Sequence, residues 1–161
     1  MADYYDENRY FGVSFHDMIK IVKLCKGEVE MCQMVMDANE KRCYVTKVMV
    51  ELGMPAHLRG YHYLREAICL SVDNMELVGS ITKLLYPEIA KTYHTTGEKV
   101  ERAIRSVIEI GWERGNEALF EEIFGYSRLQ GKNRPTNSEF VLGVADKVHW
   151  SFAKEEMEIQ D

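Results

Sequence analysis

The chain has 161 residues, of which 46% are hydrophobic and 29% charged, and its formal net charge is -6. This length is enough for one domain with a sizeable core. No apolar run approaches the roughly 18 residues that a membrane span requires. Because the N-terminus also lacks the basic start and apolar stretch of a signal peptide, we expect a cytoplasmic protein without membrane contact.

The negative charge lies mainly at the C-terminus. Residues 44–154 contain 14 basic and 14 acidic side chains, and the last seven residues add four acidic ones. Because residues 44–154 carry no net charge, one part of their surface can still be basic. No CxxC pair and no zinc-finger spacing of histidines occurs, and the four cysteines are Cys25, Cys32, Cys43 and Cys69. We therefore expect reduced thiols, no metal, no calcium dependence and no cofactor.

Helical spacing dominates the chain and strand-like alternation is rare, so we predict an all-α fold. The first predicted helix covers residues 14–42. Its apolar stripe has the a/d spacing of a coiled coil and consists of Phe15, Met18, Val22, Cys25, Val29, Cys32 and Met36. Two interpretations stay open: the stripe packs on its own domain, or it is a dimerising or partner-binding helix. We treat residues 1–43 as an N-terminal extension that carries this element.

Further helices are predicted, in chain order, over residues 44–52, 62–74, 77–85, 87–93, 96–114, 117–124 and 136–152. Thr95 and Glu98 have capping-box spacing before the longest of them, and Thr136 and Glu139 repeat it before the last. A short helix, a three-to-four-residue turn and a long helix around Thr95 form the outline of a helix-turn-helix.

The long helix has two different faces. Its apolar arc must face the core and comprises Val100, Ala103, Ile104, Val107, Ile108, Ile110 and Gly111. The opposite arc carries four candidate base-reading residues, Lys99, Glu101, Arg102 and Arg105. Arg can bind guanine through two hydrogen bonds, and Glu can accept one from cytosine N4. The clustering of cations in the first three turns favours DNA recognition.

A plain solvated surface is the alternative for this arc. Glu98–Arg102 and Glu101–Arg105 pairs would then stabilise the helix by about a few tenths of a kcal/mol each. Hydroxyl and basic residues around the helix are candidates for DNA phosphate contacts: Thr95, Thr96, Ser106, Arg128, Lys132 and Arg134. No nucleophile–base pair or phosphate loop is present, and the five histidines are scattered, so we expect no enzyme.

Three long segments closely resemble one family: VMVELGMPAHLRGYHYLREA, ELVGSITKLLYPEIAKTYHTTGEKVERAIRSVIEIGWERGN and RPTNSEFVLGVADKV. The family is the C-terminal effector domain of stage zero sporulation protein A, the response regulator that begins endospore formation. The resemblance runs from about Val45 to Val148. It implies a six-helix domain without a wing, here residues 44–152, with an embedded helix-turn-helix. Residues 153–161 then form an acidic tail.

The resemblance also implies cooperative binding to tandem short DNA elements and regulation of transcription through RNA polymerase. It places the recognition helix near Thr96 and base reading on the four residues named above. It places a sigma-factor contact at about 112–125, where the acidic residues are Glu117, Glu121 and Glu122. A solvated helix is an equally open interpretation of that segment.

Two departures from the family pattern matter. The family usually has Arg at the position of Lys99 and His at that of Ser106; Lys binds guanine with a less fixed geometry, which leaves the target sequence open. Only 43 residues precede the resemblance, without strand–helix alternation, so we expect no receiver domain and no control by its phosphorylation. We predict a stand-alone transcription regulator and likewise expect a homodimer. The alternative is a protein that titrates a sigma factor or the full-length sporulation regulator.

Overall fold

The computed structural model describes the backbone of residues 29–158 and the side chains of residues 38–151. In this part the α-helices are α1 (Val29–Glu51), α2 (Arg59–Asp73), α3 (Tyr86–Thr92), α4 (Gly97–Arg114), α5 (Glu117–Phe124) and α6 (Asn137–Glu158). No strand occurs among the described residues, and the all-α prediction is confirmed. The chain divides into two units, Met1–Asn39 and Glu40–Asp161, and the contacts below lie within the second.

The first described helix differs from the prediction. The sequence predicts two helices, over 14–42 and 44–52, but α1 runs from Val29 to Glu51 without interruption. No glycine or proline lies between residues 29 and 51, so the backbone has no reason to break near 43. The boundary drawn between extension and domain thus falls inside a helix.

The predicted dimer stripe is described only in small part. Phe15, Met18, Val22 and Cys25 lie outside the described residues. Of Val29, Cys32 and Met36 the structure describes the backbone alone, within α1. The interpretation of the stripe therefore stays a prediction here.

The end of α1 follows the sequence closely. Gly53 has φ +74°, and the Met54 N–H donates to the Met49 carbonyl over 3.1 Å. The Gly53 N–H donates to the Val50 carbonyl over 2.9 Å. This pair of bonds is a Schellman motif, in which glycine takes the left-handed conformation that other residues avoid. The predicted stop at Gly53 is confirmed.

The prediction of an α-helix over residues 77–85 is wrong. Residues Met75–Ser80 form a 3₁₀ turn and Ile81–Leu85 a single π turn that leads directly into α3. Ser80 has φ -133° and ψ 41°, which no α-helix accommodates, and Gly79 beside it has low helix propensity. Pro87 lies in the first turn of α3, where its missing N–H costs nothing.

One hydrophobic core joins α1 with the other helices of the second unit. Helix α2 lies at its centre and packs against both α4 and α6. The largest side chains buried completely there are Tyr61, Phe120, Phe140, Met49, Leu52, Leu64, Ile68, Leu85, Ile89, Ile104 and Ile108. The core therefore holds α4 from the side opposite to its charged arc.

The backbone of α4 lies in direct contact with the backbones of neighbouring segments. A Cβ at Gly60 of α2 would overlap the carbonyl of Ala103, at the middle of α4. At the other end, a Cβ at Gly111 would lie 2.9 Å from the carbonyl oxygen of Leu52, and one at Gly115 would overlap the same carbonyl. Glycine is required at these points because no side chain fits between the backbones.

We expect Gly60→Ala to lower the free energy of unfolding by about 1–3 kcal/mol, because the added methyl group must push α2 away from α4. Gly79→Ala is the matched control, since nothing lies within 4 Å of a Cβ there. Urea unfolding followed by circular dichroism measures both. Equal midpoints for the two variants would contradict the close approach.

Candidate nucleic-acid interface

The helix-turn-helix is built from α3 and α4, which are joined by the four residues Tyr93–Thr96. Helix α3 ends in a second Schellman motif. The Thr95 N–H donates to the Ala90 carbonyl over 2.9 Å, and the His94 N–H to the Lys91 carbonyl over 3.3 Å. His94 occupies the position that is usually glycine, with φ +50°, and is the one non-glycine residue with positive φ in the described part.

Helix α4 begins at Gly97, one residue later than predicted. Thr96, not Thr95, is the N-cap, and its hydroxyl accepts a hydrogen bond from the Lys99 N–H over 3.4 Å. The Thr95–Glu98 capping box is therefore wrong. The reason is local, since the Schellman motif already uses the N–H of Thr95 to close α3. Thr95 is half-buried and Thr96 exposed.

The two faces of α4 lie as the sequence predicts. Val100, Ile104, Val107, Ile108, Gly111 and Trp112 are buried, and Ala103 and Ile110 half-buried. Of the four candidate base-reading residues, Lys99, Arg102 and Arg105 are exposed and Glu101 is half-buried. Ser106 is exposed on the same arc. Three cations thus lie on the solvent side of α4, among the acidic residues Glu98, Glu101, Glu109 and Glu113, while the opposite side of the helix is buried in the core.

Only one of the predicted ion pairs on α4 forms. Arg105 donates to the Glu101 carboxylate over 2.5 Å, whereas the predicted Glu98–Arg102 pair is absent. In the part of the chain that the structure describes, the Lys99 and Arg102 side chains have no hydrogen-bond or ion-pair partner. These two cations are therefore available to a ligand.

A buried asparagine, missed by the sequence reasoning, fixes α4 relative to α3 and α6. The Asn137 side-chain amide donates to the Glu101 carbonyl over 3.1 Å and to the Tyr86 hydroxyl over 3.0 Å. Burial raises the pKa of Tyr86, and the bond from Asn137 acts in the opposite direction. Asn137 directly follows the capping residue Thr136, so the sequence shows a helix start there but no long-range role.

Two open clefts flank Glu101 along the N-terminal half of α4. One, of about 310 Å³, lies between α4, the π turn and the start of α6, and it brings Arg134 close to Arg105. The other, of about 390 Å³, is lined by Thr96, Gly97 and Glu98. Of the three basic loop residues predicted for phosphate, only Arg134 lines a cleft beside α4; Arg128 and Lys132, both exposed, line neither.

The three acidic residues predicted as a sigma-factor contact all have partners within the domain. Glu117 accepts from the Arg128 Nε over 2.9 Å and from the Arg128 backbone N–H over 3.1 Å. Burial raises the pKa of Glu117, but the bonds from Arg128 and its neighbours outweigh it, and the pKa is lowered. Glu121 accepts from Gln130 and Glu122 from Lys147.

Trp112 lies at the start of the segment predicted to contact a partner, but it belongs to the core. It is 7% exposed and stacks edge-on against Phe120, with ring centroids 5.0 Å apart. The Tyr126 ring also lies edge-on to the Trp112 ring, with centroids 6.0 Å apart. This aromatic cluster joins the C-terminal half of α4 to α5.

Within the described part of the chain, no three His, Cys, Asp or Glu side chains come together as a set of metal ligands. No helix in that part combines the length and the apolar character needed to cross a membrane.

A helix-turn-helix whose second helix exposes cations in its first three turns has the architecture of the DNA-binding class. The model of the family described as Sporulation initiation factor Spo0A C terminal matches residues 45–148. The chain belongs to this family. It therefore carries a DNA-binding, sporulation-related regulatory domain, and the family resemblance seen in the sequence is confirmed.

The left-handed conformation of His94 in the turn leads to a prediction about stability. We expect His94→Gly to keep the free energy of unfolding or raise it by up to about 1 kcal/mol, because glycine adopts this conformation without steric cost. We expect His94→Val to lower it by about 1–2 kcal/mol, because a β-branched side chain disfavours positive φ. Thermal unfolding of both variants measures this, and equal responses would exclude a strained turn.

A second consequence concerns pH. Glu139 accepts from the Thr136 N–H over 2.8 Å, and the Glu139 N–H donates to the Thr136 hydroxyl over 3.3 Å, so the predicted capping box is confirmed. These bonds from Thr136 lower the pKa of Glu139 from 4.5. The stabilisation is therefore present above 4.5 and is lost as the pH falls through the lowered pKa.

In Glu139→Gln the capping amide does not titrate. We expect the wild-type protein to lose its advantage over this variant as the pH falls from about 7 to about 3. Urea unfolding across this pH range gives the difference in free energy. A difference that stays constant with pH would show that the carboxylate is not the capping group.

Proposed function

We propose that this protein is a sequence-specific regulator of transcription that reads double-stranded DNA with α4 in the major groove. The observation that carries the proposal is that Lys99 and Arg102 are exposed and unpaired in the described part of the chain. Both are exposed in the first two turns of α4 and lack a partner in the described part, while the opposite face of the same helix is buried. The N-terminal residues of a recognition helix are those that meet base edges.

The base-reading residues have different tasks. Arg102 suits a bidentate contact with guanine, and Lys99 a guanine contact of looser geometry. Glu101 suits cytosine N4 as acceptor, and its pairing with Arg105 holds the carboxylate in place before DNA arrives. Arg105 can then turn to a base or a phosphate while Glu101 accepts from the base.

Phosphate contacts would surround this reading surface. Thr96, the N-cap of α4, and Ser106 within the helix are exposed, and the half-buried Thr95 directly precedes Thr96. Arg134 lies in the cleft beside Arg105, which supports a place at the DNA backbone. Lys132 and Arg128 would contact phosphates farther away, and Arg128 would have to share its charge with Glu117. Such contacts position the protein and give no base preference.

Regulation through RNA polymerase is the second part of the proposal. A basic surface of a sigma factor would meet Glu117, Glu121 and Glu122 on α5. It would have to compete with Arg128, Gln130 and Lys147, which already bind these carboxylates. A regulator of this kind works in the cytoplasm, where the polymerase and its DNA are.

A binding selection from random duplex DNA tests the reading surface. We expect the wild-type chain to enrich a short motif and Arg102→Ala to lose about 1–3 kcal/mol of discrimination at one base pair. Arg114→Ala is the matched control, since Arg114 is exposed at the far end of α4. An unchanged motif with Arg102→Ala would remove Arg102 from the base-reading set.

Salt dependence separates this function from titration of a partner protein. A DNA-binding protein loses affinity steeply as salt rises, because its phosphate contacts release counterions. The enriched duplex is therefore titrated at several salt concentrations. A folded chain that enriches no motif and binds DNA only weakly would favour the titration of a sigma factor or of the full-length regulator.

A further inference from the structure

One cleft beside α4 contains more positive than negative charge. It lies between α4, the π turn and the start of α6, has a volume of about 310 Å³ and is lined by both Arg105 and Arg134. Among the described residues along it, Glu101 alone is acidic. Two guanidinium groups therefore share the cleft with one carboxylate, and one positive charge has no counter-charge there.

The two arginines of the cleft are both open to a further ligand. Arg105 is paired with the Glu101 carboxylate over 2.5 Å, and its side chain is 55% exposed. An exposed pair within one helix is weak, so a second anion can compete for Arg105. Arg134 is half-buried, and its hydrogen bond in the described part is a long one, 3.5 Å, to the Pro135 carbonyl. Its guanidinium therefore keeps donors free.

Neutral donors line the same cleft. Ser138, in the first turn of α6, and Thr82, on the π turn, both border it, and neither hydroxyl has a hydrogen-bond partner in the part of the chain that the structure describes. The first N–H groups of a helix also lack partners within the helix. Guanidinium groups, hydroxyls and a helix N-terminus together are suited to a phosphate group.

We propose that this cleft binds one backbone phosphate of the DNA, and that this phosphate draws Arg105 away from Glu101. The inference rests on the proposed reading of DNA by α4. Phosphate and carboxylate then share two guanidinium groups, so the charges in the cleft balance. Glu101 is released to accept from a base, and Arg134 determines specificity without touching a base. Arg105 is assigned to the phosphate and not to a base.

The coupling follows from the spacing of the charges. Glu101 and Arg105 are one turn apart on α4, and Glu101 lines the clefts on both sides of it. A carboxylate that stays paired with Arg105 has less capacity to accept from cytosine N4, and a phosphate without enough cations beside it would repel that carboxylate. Arg134 removes both effects, because it supplies a second cation for the phosphate in the same cleft.

Base discrimination in an Arg134 variant tests the proposal. The base pair read by Glu101 is identified first, as the position at which Glu101→Ala loses preference in the selection from random duplexes. We expect Arg134→Gln to lower discrimination at this base pair roughly fivefold or more, as for two coupled sites. Discrimination at the Arg102 base pair stays unchanged. A phosphate contact without coupling would instead weaken binding to all sequences alike.

Lys132→Gln is the matched control, because Lys132 is exposed on the same loop and lines neither cleft. We expect this variant to keep the base preferences of the wild type. Neutral methylphosphonate, placed at one backbone position of the enriched duplex at a time, locates the phosphate. At one position it should reproduce the effect of Arg134→Gln, and in that variant it should add nothing further. Circular dichroism checks that the variants fold.

Three results would overturn the proposal. The first is a Glu101→Ala variant that loses preference at no base pair. The second is equal discrimination at the Glu101 base pair in wild type and Arg134→Gln. The third is a duplex in which no single methylphosphonate reproduces the effect of Arg134→Gln. A motif that depends on Arg102 would still support DNA reading in each case, whereas failure of the proposed function would appear as a chain that enriches no motif.

Discussion

The position of α4 depends on backbone contact without intervening side chains. Gly60 lets α2 lie directly on Ala103, and Gly111 lets the carbonyl of Leu52 approach the other end of α4. These contacts leave no space in which α4 could slide or turn, because backbone atoms cannot change rotamer as side chains do. The charged arc of α4 is therefore presented to solvent as a fixed surface, which is what base recognition requires.

Polar contacts then fix the first turns of α4, where the reading residues stand. Asn137 binds the backbone of Glu101 from α6 and so holds the turn that carries the reading side chains. His94 and Thr96 set the angle at which the chain enters the helix. Tyr86, the second partner of Asn137, connects the same point to α3. The helix-turn-helix is thus held by bonds from outside its own two helices.

The charged residues of this acidic chain differ in whether they are paired within the domain. Many charged residues away from α4 pair with one another, as in the pairs Lys41–Asp73, Arg42–Glu66, Arg128–Glu117 and Lys147–Glu122. Such exposed pairs stabilise the fold little. Lys99 and Arg102, by contrast, have no partner in the described part of the chain. The local arrangement of charge, and not its sum, decides what the surface attracts.

The sequence by itself determined the features that depend on neighbouring residues. Periodicity and stop residues determined the end of α4, both bounds of α5, the Thr136–Glu139 capping box and the exposure of Lys99 and Arg102, because each depends on residues within about two turns. Only the tertiary structure decided the role of Asn137, which bonds a residue 51 positions away, and the approach of Arg134 to Arg105. It also decided that Arg128 binds Glu117 and that Trp112 is buried. Those contacts join segments that are distant in the chain, and a local sequence pattern cannot predict which distant group a side chain will contact.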